Sequence, residues 1–196
     1  MKSIRAQFGH PTGPVGALVG WLMALKNGER SAWVLSQLRL QPGDRVLEIG
    51  FGPGVDVARA AARSGFVAGA DMSEVMLRQA VRRNAAAIRE GRVDLRRAAM
   101  PSLPFDDASF DKVFSINSFQ FWPEKIAALV DIQRVARPGG LVAIAVQPRN
   151  KDATDATSKE TGEEIVRAMR SVGLRDVTLL LKPMSPVATA CAIATV

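Results

Sequence analysis

Three glycines and two acids carry the first chemical signal. Gly50, Gly52 and Gly54 alternate within Val46-Leu47-Glu48-Ile49-Gly50-Phe51-Gly52-Pro53-Gly54, Glu48 stands two before the first glycine, and Asp71 follows about twenty residues on. Glycines so close together permit unusual backbone angles and let a ligand approach the main chain. An acid at the Asp71 offset is placed to accept both hydroxyl protons of a ribose. The spacing limits the ligand. A dinucleotide fingerprint needs Gly or Ala at the sixth position of the turn, where this chain has Val55, and a phosphate loop needs a Gly-Lys-Ser/Thr ending that is absent. Alone, the glycines also fit a bare turn between a strand and a helix, and Asp71 also fits a helix-entry residue before Ser73.

The surrounding elements must position these groups. Val46, Leu47 and Ile49 make a strand covered on both faces, and a helix from Val55 to Ser64 is closed by Gly65. Phe66 to Asp71 reads as a second strand. Ser73 caps a helix expected to run unbroken to about Glu90, where Gly91 stops it. Further strands are expected at Val93–Arg97, Phe110–Ile116, Leu141–Val146, Asp176–Leu181 and Val187–Ala194. Pro123 fits the first turn of a helix to about Val135; Gln147 to Ser158 reads as a loop, and Thr161 to Ser171 as a helix. Upstream, Val15–Lys26 and Glu29–Leu38 read as helices. Alternating strands and helices predict a doubly wound α/β sheet, and the short turn between the last two strands makes them antiparallel neighbours.

The 196 residues suffice for one domain with a real core. The single Cys191 allows no intrachain disulfide and fits a reducing compartment, and no apolar run reaches the roughly 18 residues of a membrane span. The expected location is cytoplasmic, with membrane contact not expected. The net charge of +7 gathers partly in Arg78, Arg82, Arg83, Arg89, Arg92, Arg96 and Arg97. These arginines suit an RNA surface or a solvated helix face; the solvated face is favoured because no aromatic residues interleave with them.

With the later motifs the resemblance becomes specific. Glu-x-Gly-x-Gly-x-Gly resembles motif I of the class I S-adenosylmethionine (SAM)-dependent methyltransferases. Leu103-Pro104-Phe105-Asp106-Asp107-Ala108-Ser109-Phe110-Asp111 resembles the Leu-Pro-Phe-x-x-x-x-Phe-Asp signature of their type 11, ubiquinone/menaquinone-biosynthesis-like small-molecule subgroup, and Arg137-Pro138-Gly139-Gly140-Leu141 its turn before the fifth strand. The resemblance spans about Asp44 to Val196. It implies a Rossmann-like, seven-stranded, mostly parallel sheet in the order 3-2-1-4-5-7-6 with the last strand antiparallel, and SAM as cofactor. It implies cofactor contacts from Glu48, Gly50, Gly52, Gly54, Asp71, Met72, Ala99, Met100, Ser115 and Asn117. Ala99 departs from the family's Asp at the adenine amino group; the Met100 amide and side chain remain to meet the ring.

SAM brings an activated methyl, so the protein must align the acceptor and exclude water. The expected acceptor is a small, partly apolar molecule walled by Phe119, Trp122 and Trp21, with no metal. His10, the only histidine, is the candidate base. No Asn-Pro-Pro-Tyr-like motif follows the fourth strand, which argues against amino-methyltransferases of adenine or glutamine. Residues 1–40 are expected to form an apolar helical lid over a methyltransferase core at 41–196. An RNA or protein methyltransferase and a non-catalytic SAM-fold binding protein remain as alternatives; nucleic acid is not favoured, and the oligomeric state is open.

Overall fold

The computed structural model describes residues 28–196; His10 and Trp21 lie outside them. Along the chain run α1 (Gly28–Gln37), β1 (Arg45–Ile49), α2 (Val55–Ala61), β2 (Phe66–Asp71), α3 (Glu74–Arg83), α4 (Ala85–Arg89) and β3 (Val93–Arg97). Then come β4 (Phe110–Ile116), a 3-10 turn at Phe119–Phe121, α5 (Lys125–Val135), β5 (Ala136–Val146), α6 (Asp155–Ser171), β6 (Arg175–Lys182) and β7 (Thr189–Thr195).

The seven strands form one sheet in the order β3-β2-β1-β4-β5-β7-β6. Pairs from β3 to β5 are parallel, and β7 runs antiparallel to both β5 and β6. This is the order and polarity that the sequence implied.

Alternate β1 side chains enter different cores because a strand's side chains alternate between faces. Leu47 and Ile49 join Leu129 and Ile132 of α5 and Ile165 and Met169 of α6. Val46 joins Val34, Leu35 and Leu38, from and just after α1, with Val57 and Ala60 of α2. Burying each of these large aliphatic side chains contributes about 1.5–3 kcal/mol. The α1 part of the expected lid thus shares a core with the sheet.

The Leu-Pro-Phe segment is fixed by α5. Asp131 accepts from the amides of Ser102 (2.9 Å) and Leu103 (2.6 Å), and Arg134 donates to the carbonyls of Leu103 (3.0 Å) and Phe105 (2.8 Å). Phe105 meets Phe110 edge to face at 5.2 Å. This segment therefore anchors the entry to β4.

Several element bounds correct the sequence reading. The helix expected to run to Glu90 is broken at Asn84, which has φ −100° and ψ 14°. Its buried side chain donates to the carbonyls of Gly54 (3.0 Å) and Ala80 (2.9 Å), a local alternative to helical pairing. Helix α6 starts at Asp155, inside the expected loop, because Thr154 and Thr157 form a reciprocal capping box. Pro123 precedes α5 instead of opening it. Strand β5 begins at Ala136, paired with Phe110, and Gly139 and Gly140 exchange backbone hydrogen bonds with Val196.

Candidate active site

The carboxyl ends of β1, β2, β4 and β5 open into one cleft of about 1680 Å³. Ligands bind beyond this edge of an open α/β sheet, where the strand order reverses. Among the expected cofactor residues, Glu48, Gly50, Gly52, Asp71, Met72, Ala99, Met100 and Asn117 line the cleft.

The glycines divide into two kinds. All three have left-handed backbones, with φ of 75°, 51° and 73°. A Cβ on Gly52 would meet nothing within 4 Å, so its position faces open cleft. A Cβ on Gly50 would collide with the Ser118 side chain, and one on Gly54 would stand 2.6 Å from Ala80 Cβ. Gly54 does not line the cleft; it lets α2 and α3 approach each other. Arg83 and Asn84, which the sequence reading did not place at the site, donate to the turn carbonyls of Pro53 and Gly54. Nothing in a run read as one continuous helix marks that role.

Asp71, closing β2, accepts from the Gly52 amide at 2.8 Å through one carboxylate oxygen and from the Ser73 amide at 2.8 Å through the other. A carboxylate accepts hydrogen bonds of the kind that ribose hydroxyls donate. The same acid fixes the glycine turn and faces the cleft. Asp71→Ala should weaken SAM by about 1.5–3 kcal/mol, the scale of hydrogen bonds to a charged group. Calorimetry with SAM and a 2′,3′-dideoxy analogue checks the assignment: the mutation should cost the analogue much less. Equal losses for both ligands would refute a ribose contact.

Glu48 is 2% exposed and its Oε2 has no hydrogen-bond partner. Burial pushes its carboxyl well above the usual carboxylate range; Asp56 and Asp71 push the same way, against Arg59 and a hydrogen bond from the Val57 backbone. A raised folded-state pKa favours folding most below the unfolded value near 4.3, and that contribution is lost as pH rises through the folded value. Glu48→Gln removes this loss. Its Tm should match wild type near about pH 4 and exceed it increasingly toward about pH 8. Thermal unfolding of the ligand-free proteins across pH measures the gap; a constant gap would contradict the raised pKa.

Other expected residues lie elsewhere. Ser115 is buried in β4 beside Ile49 and Ile144, and it does not line the cleft. Phe119 is 1% exposed and packs edge to face on Trp122 at 5.3 Å. Only Trp122 of that pair reaches the cleft, with its indole N–H donating to Ser118 Oγ at 2.9 Å. Phe119 is core because the 3-10 turn directs it inward, a rotation that apolar character alone does not reveal. Asn117 has φ 57°, and its side-chain oxygen accepts from the Gln147 amide at 2.7 Å. It joins the ends of β4 and β5.

The residues present fit SAM. A side-chain-free position opens on the cleft at Gly52, an acid pinned at the end of β2 faces it, and Glu48 has an unpartnered buried oxygen at its wall. No group of three or more metal-ligating side chains occurs among the described residues.

Sheet order, glycine turn and the acid that closes β2 together define a class I methyltransferase fold. The methyltransferase-domain family model matches residues 46–140. An uncharacterized methyltransferase of Bacillus subtilis, YdaC, is 32% identical over 179 residues, covering 90% of this chain and 97% of that protein. The 27-O-demethylrifamycin SV methyltransferase of Amycolatopsis mediterranei is 33% identical over 66% of this chain and 50% of its own, so this chain spans about half the length of that relative. A solved SAM-dependent methyltransferase from Aquifex aeolicus superposes with a TM-score of 0.69 at 21% identity, covering 84% of this chain and 88% of that one. The chain belongs to the SAM-dependent methyltransferases of class I.

Proposed function

We propose that this methyltransferase acts on a small molecule by direct in-line displacement. One observation carries the reading: the cleft continues past the cofactor residues. Beyond Asn117 it is lined by Phe121, Trp122, Val146, Gln147, Thr157 and Val187. That second compartment also holds the charged Arg149, Lys151 and Asp152, and its apolar side chains suit a partly apolar acceptor. The name of the Amycolatopsis relative describes O-methylation of a small molecule, which supports this class.

Bound SAM supplies a methyl already activated by the sulfonium. The chain's own residues have simpler tasks. Asp71 and the Gly52 position hold one end of the cleft, and the Asn117–Gln147 hydrogen bond fixes the floor at the junction of the two compartments. Trp122 and Val146 exclude water from the wall. The arginine-rich region gives little support to an RNA substrate. Arg78, Arg92, Arg96 and Arg97 pair with Glu74, Glu90, Asp94 and Glu74, and Arg83 serves the glycine turn. Those three acids offset part of the positive charge at that surface.

The test uses SAM labelled in its methyl group, incubated with the protein and a metabolite extract, and separately with total RNA and with protein. Label is expected in the small-molecule fraction, where mass spectrometry identifies the product. Label confined to RNA or protein would overturn the reading.

A further inference from the structure

The cleft holds a buried cation that the cofactor residues leave unused. Arg30 of α1 is 3% exposed and lines the cleft. One terminal nitrogen donates to Gln147 Oε1 at 2.7 Å, while its Nε has no hydrogen-bond partner. A buried guanidinium with an unmet donor carries a desolvation cost that an anion in the cleft would offset.

Gln147 is itself fixed. It is 4% exposed, its side-chain amide donates to Val187 O at 2.7 Å and Ser185 O at 3.3 Å, and its backbone amide donates to Asn117. Arg30 is therefore held against the end of β5 and the β6–β7 turn by a partner that is also held.

Arg149 follows Gln147 by two residues and lines the same cleft, as does Lys151. Burial and then the nearby Arg149 lower the Arg30 pKa to about 10, against Asp56, which raises it. Burial also lowers the Arg149 pKa. Arg149 disfavours the charged form of Arg30, and an anion beside Arg30 would relieve that.

Glu48 and Asp71 stand at the glycine turn, where a cofactor with a sulfonium and an ammonium belongs; Asp56, paired with Arg59 and accepting from Ser31, acts on both Glu48 and Arg30. Arg149, Lys151 and Asp152 also line the cleft. Asp71 ends β2 and Gln147 follows β5, three positions away in the strand order, or roughly 14 Å at the usual strand spacing. The Arg30 guanidinium is bonded at the β5 end of that span, through Gln147.

We infer that Arg30, positioned by Gln147 and accompanied by Arg149, is the subsite for an anionic group, a carboxylate or phosphate, on the methyl acceptor. This rests on the small-molecule reading above. A guanidinium fork binds either group through paired N–H donors. An acceptor with an apolar body and an anionic end would fill the second compartment and place its reactive atom toward the cofactor.

The experiment uses the full chain saturated with S-adenosylhomocysteine. Phenylacetate and phenyl phosphate are titrated calorimetrically, with phenylacetamide as the uncharged control. Both anions should bind at least tenfold more tightly than the amide. Arg30→Gln and Arg149→Gln should each weaken the anions tenfold or more, while affinities for S-adenosylhomocysteine and 5′-methylthioadenosine stay within twofold. Circular dichroism checks the fold; if Arg30→Gln does not fold, Arg149→Gln decides. Anions that bind the variants as they bind wild type, or that do not bind wild type, would overturn the inference. So would an Arg30→Gln loss confined to S-adenosylhomocysteine, because 5′-methylthioadenosine lacks the carboxylate and Arg30 would then hold the cofactor. Failure of the small-molecule reading shows separately, as label in RNA or protein in the transfer experiment.

Discussion

Gly52→Val is expected to leave a folded protein that no longer binds SAM at useful concentrations. A Cβ at Gly52 meets no protein atom within 4 Å, so a branched side chain there projects into cleft and not into core. Folding bears mainly the left-handed backbone, φ 51°, at about 1–2 kcal/mol. Binding bears the occupied space. The expected loss is about a hundredfold or more, equivalent to about 2.8 kcal/mol. Calorimetry reads the affinity and circular dichroism the fold. Gly52→Ala shares the backbone strain but adds only one carbon, so it should fall between wild type and valine. Unchanged affinity in the valine variant would refute the glycine turn as the cofactor cradle.

The sequence carried the sheet because local and long-range signals agree there. Apolar runs at Val46–Ile49, Phe66–Ala70 and Leu141–Val146 have strand chemistry and are bounded by turn residues; the first two became strands at or close to their expected limits, and the third lies within the longer β5. Signals failed where polar side chains do structural work. Asn84 interrupts a helical pattern to reach Gly54 thirty residues away. Thr154 and Thr157 open α6 by capping each other, and the helix's first two turns bury only Ser158, whose hydroxyl donates to Ala188 O at 2.7 Å. No apolar period can announce such a start.

Only the locally spaced part of the candidate site stands out in the sequence. Asp71 and Gly52 could be singled out because their spacing is local, and the structure joins them by a hydrogen bond. Arg30 and Gln147 lie 117 residues apart and meet only because the sheet order brings α1 to the end of β5. Phe119 was misplaced for a related reason: its aromatic ring fits a wall or a core equally well, and only the turn after β4 decides between them.

Gly54→Val should produce the opposite pattern to Gly52→Val: a damaged fold, with a cleft that still binds cofactor in the molecules that remain folded. A Cβ at Gly54 stands 2.6 Å from Ala80 Cβ, 2.8 Å from Ala80 Cα and 2.8 Å from Asn84 Nδ2. Two of those atoms belong to a fully buried residue of α3, so the obstacle is packed helix and cannot rotate away. Left-handed strain of about 1–2 kcal/mol and overpacking of about 1–3 kcal/mol together give about 2–5 kcal/mol. At about 2–4 °C per kcal/mol for a chain of this size, Tm should fall by about 4–20 °C. Saturating SAM should then raise the variant's Tm by mass action, as it does for wild type, whereas it should leave the Gly52→Val Tm unmoved. The double variant Gly54→Ala with Ala80→Gly removes the closest of the three contacts and keeps the other two and the strain, so its Tm should exceed the sum of the single effects while staying below wild type. A Gly54→Val protein with wild-type Tm and no cofactor-induced shift would show that Gly54, too, belongs to the cradle.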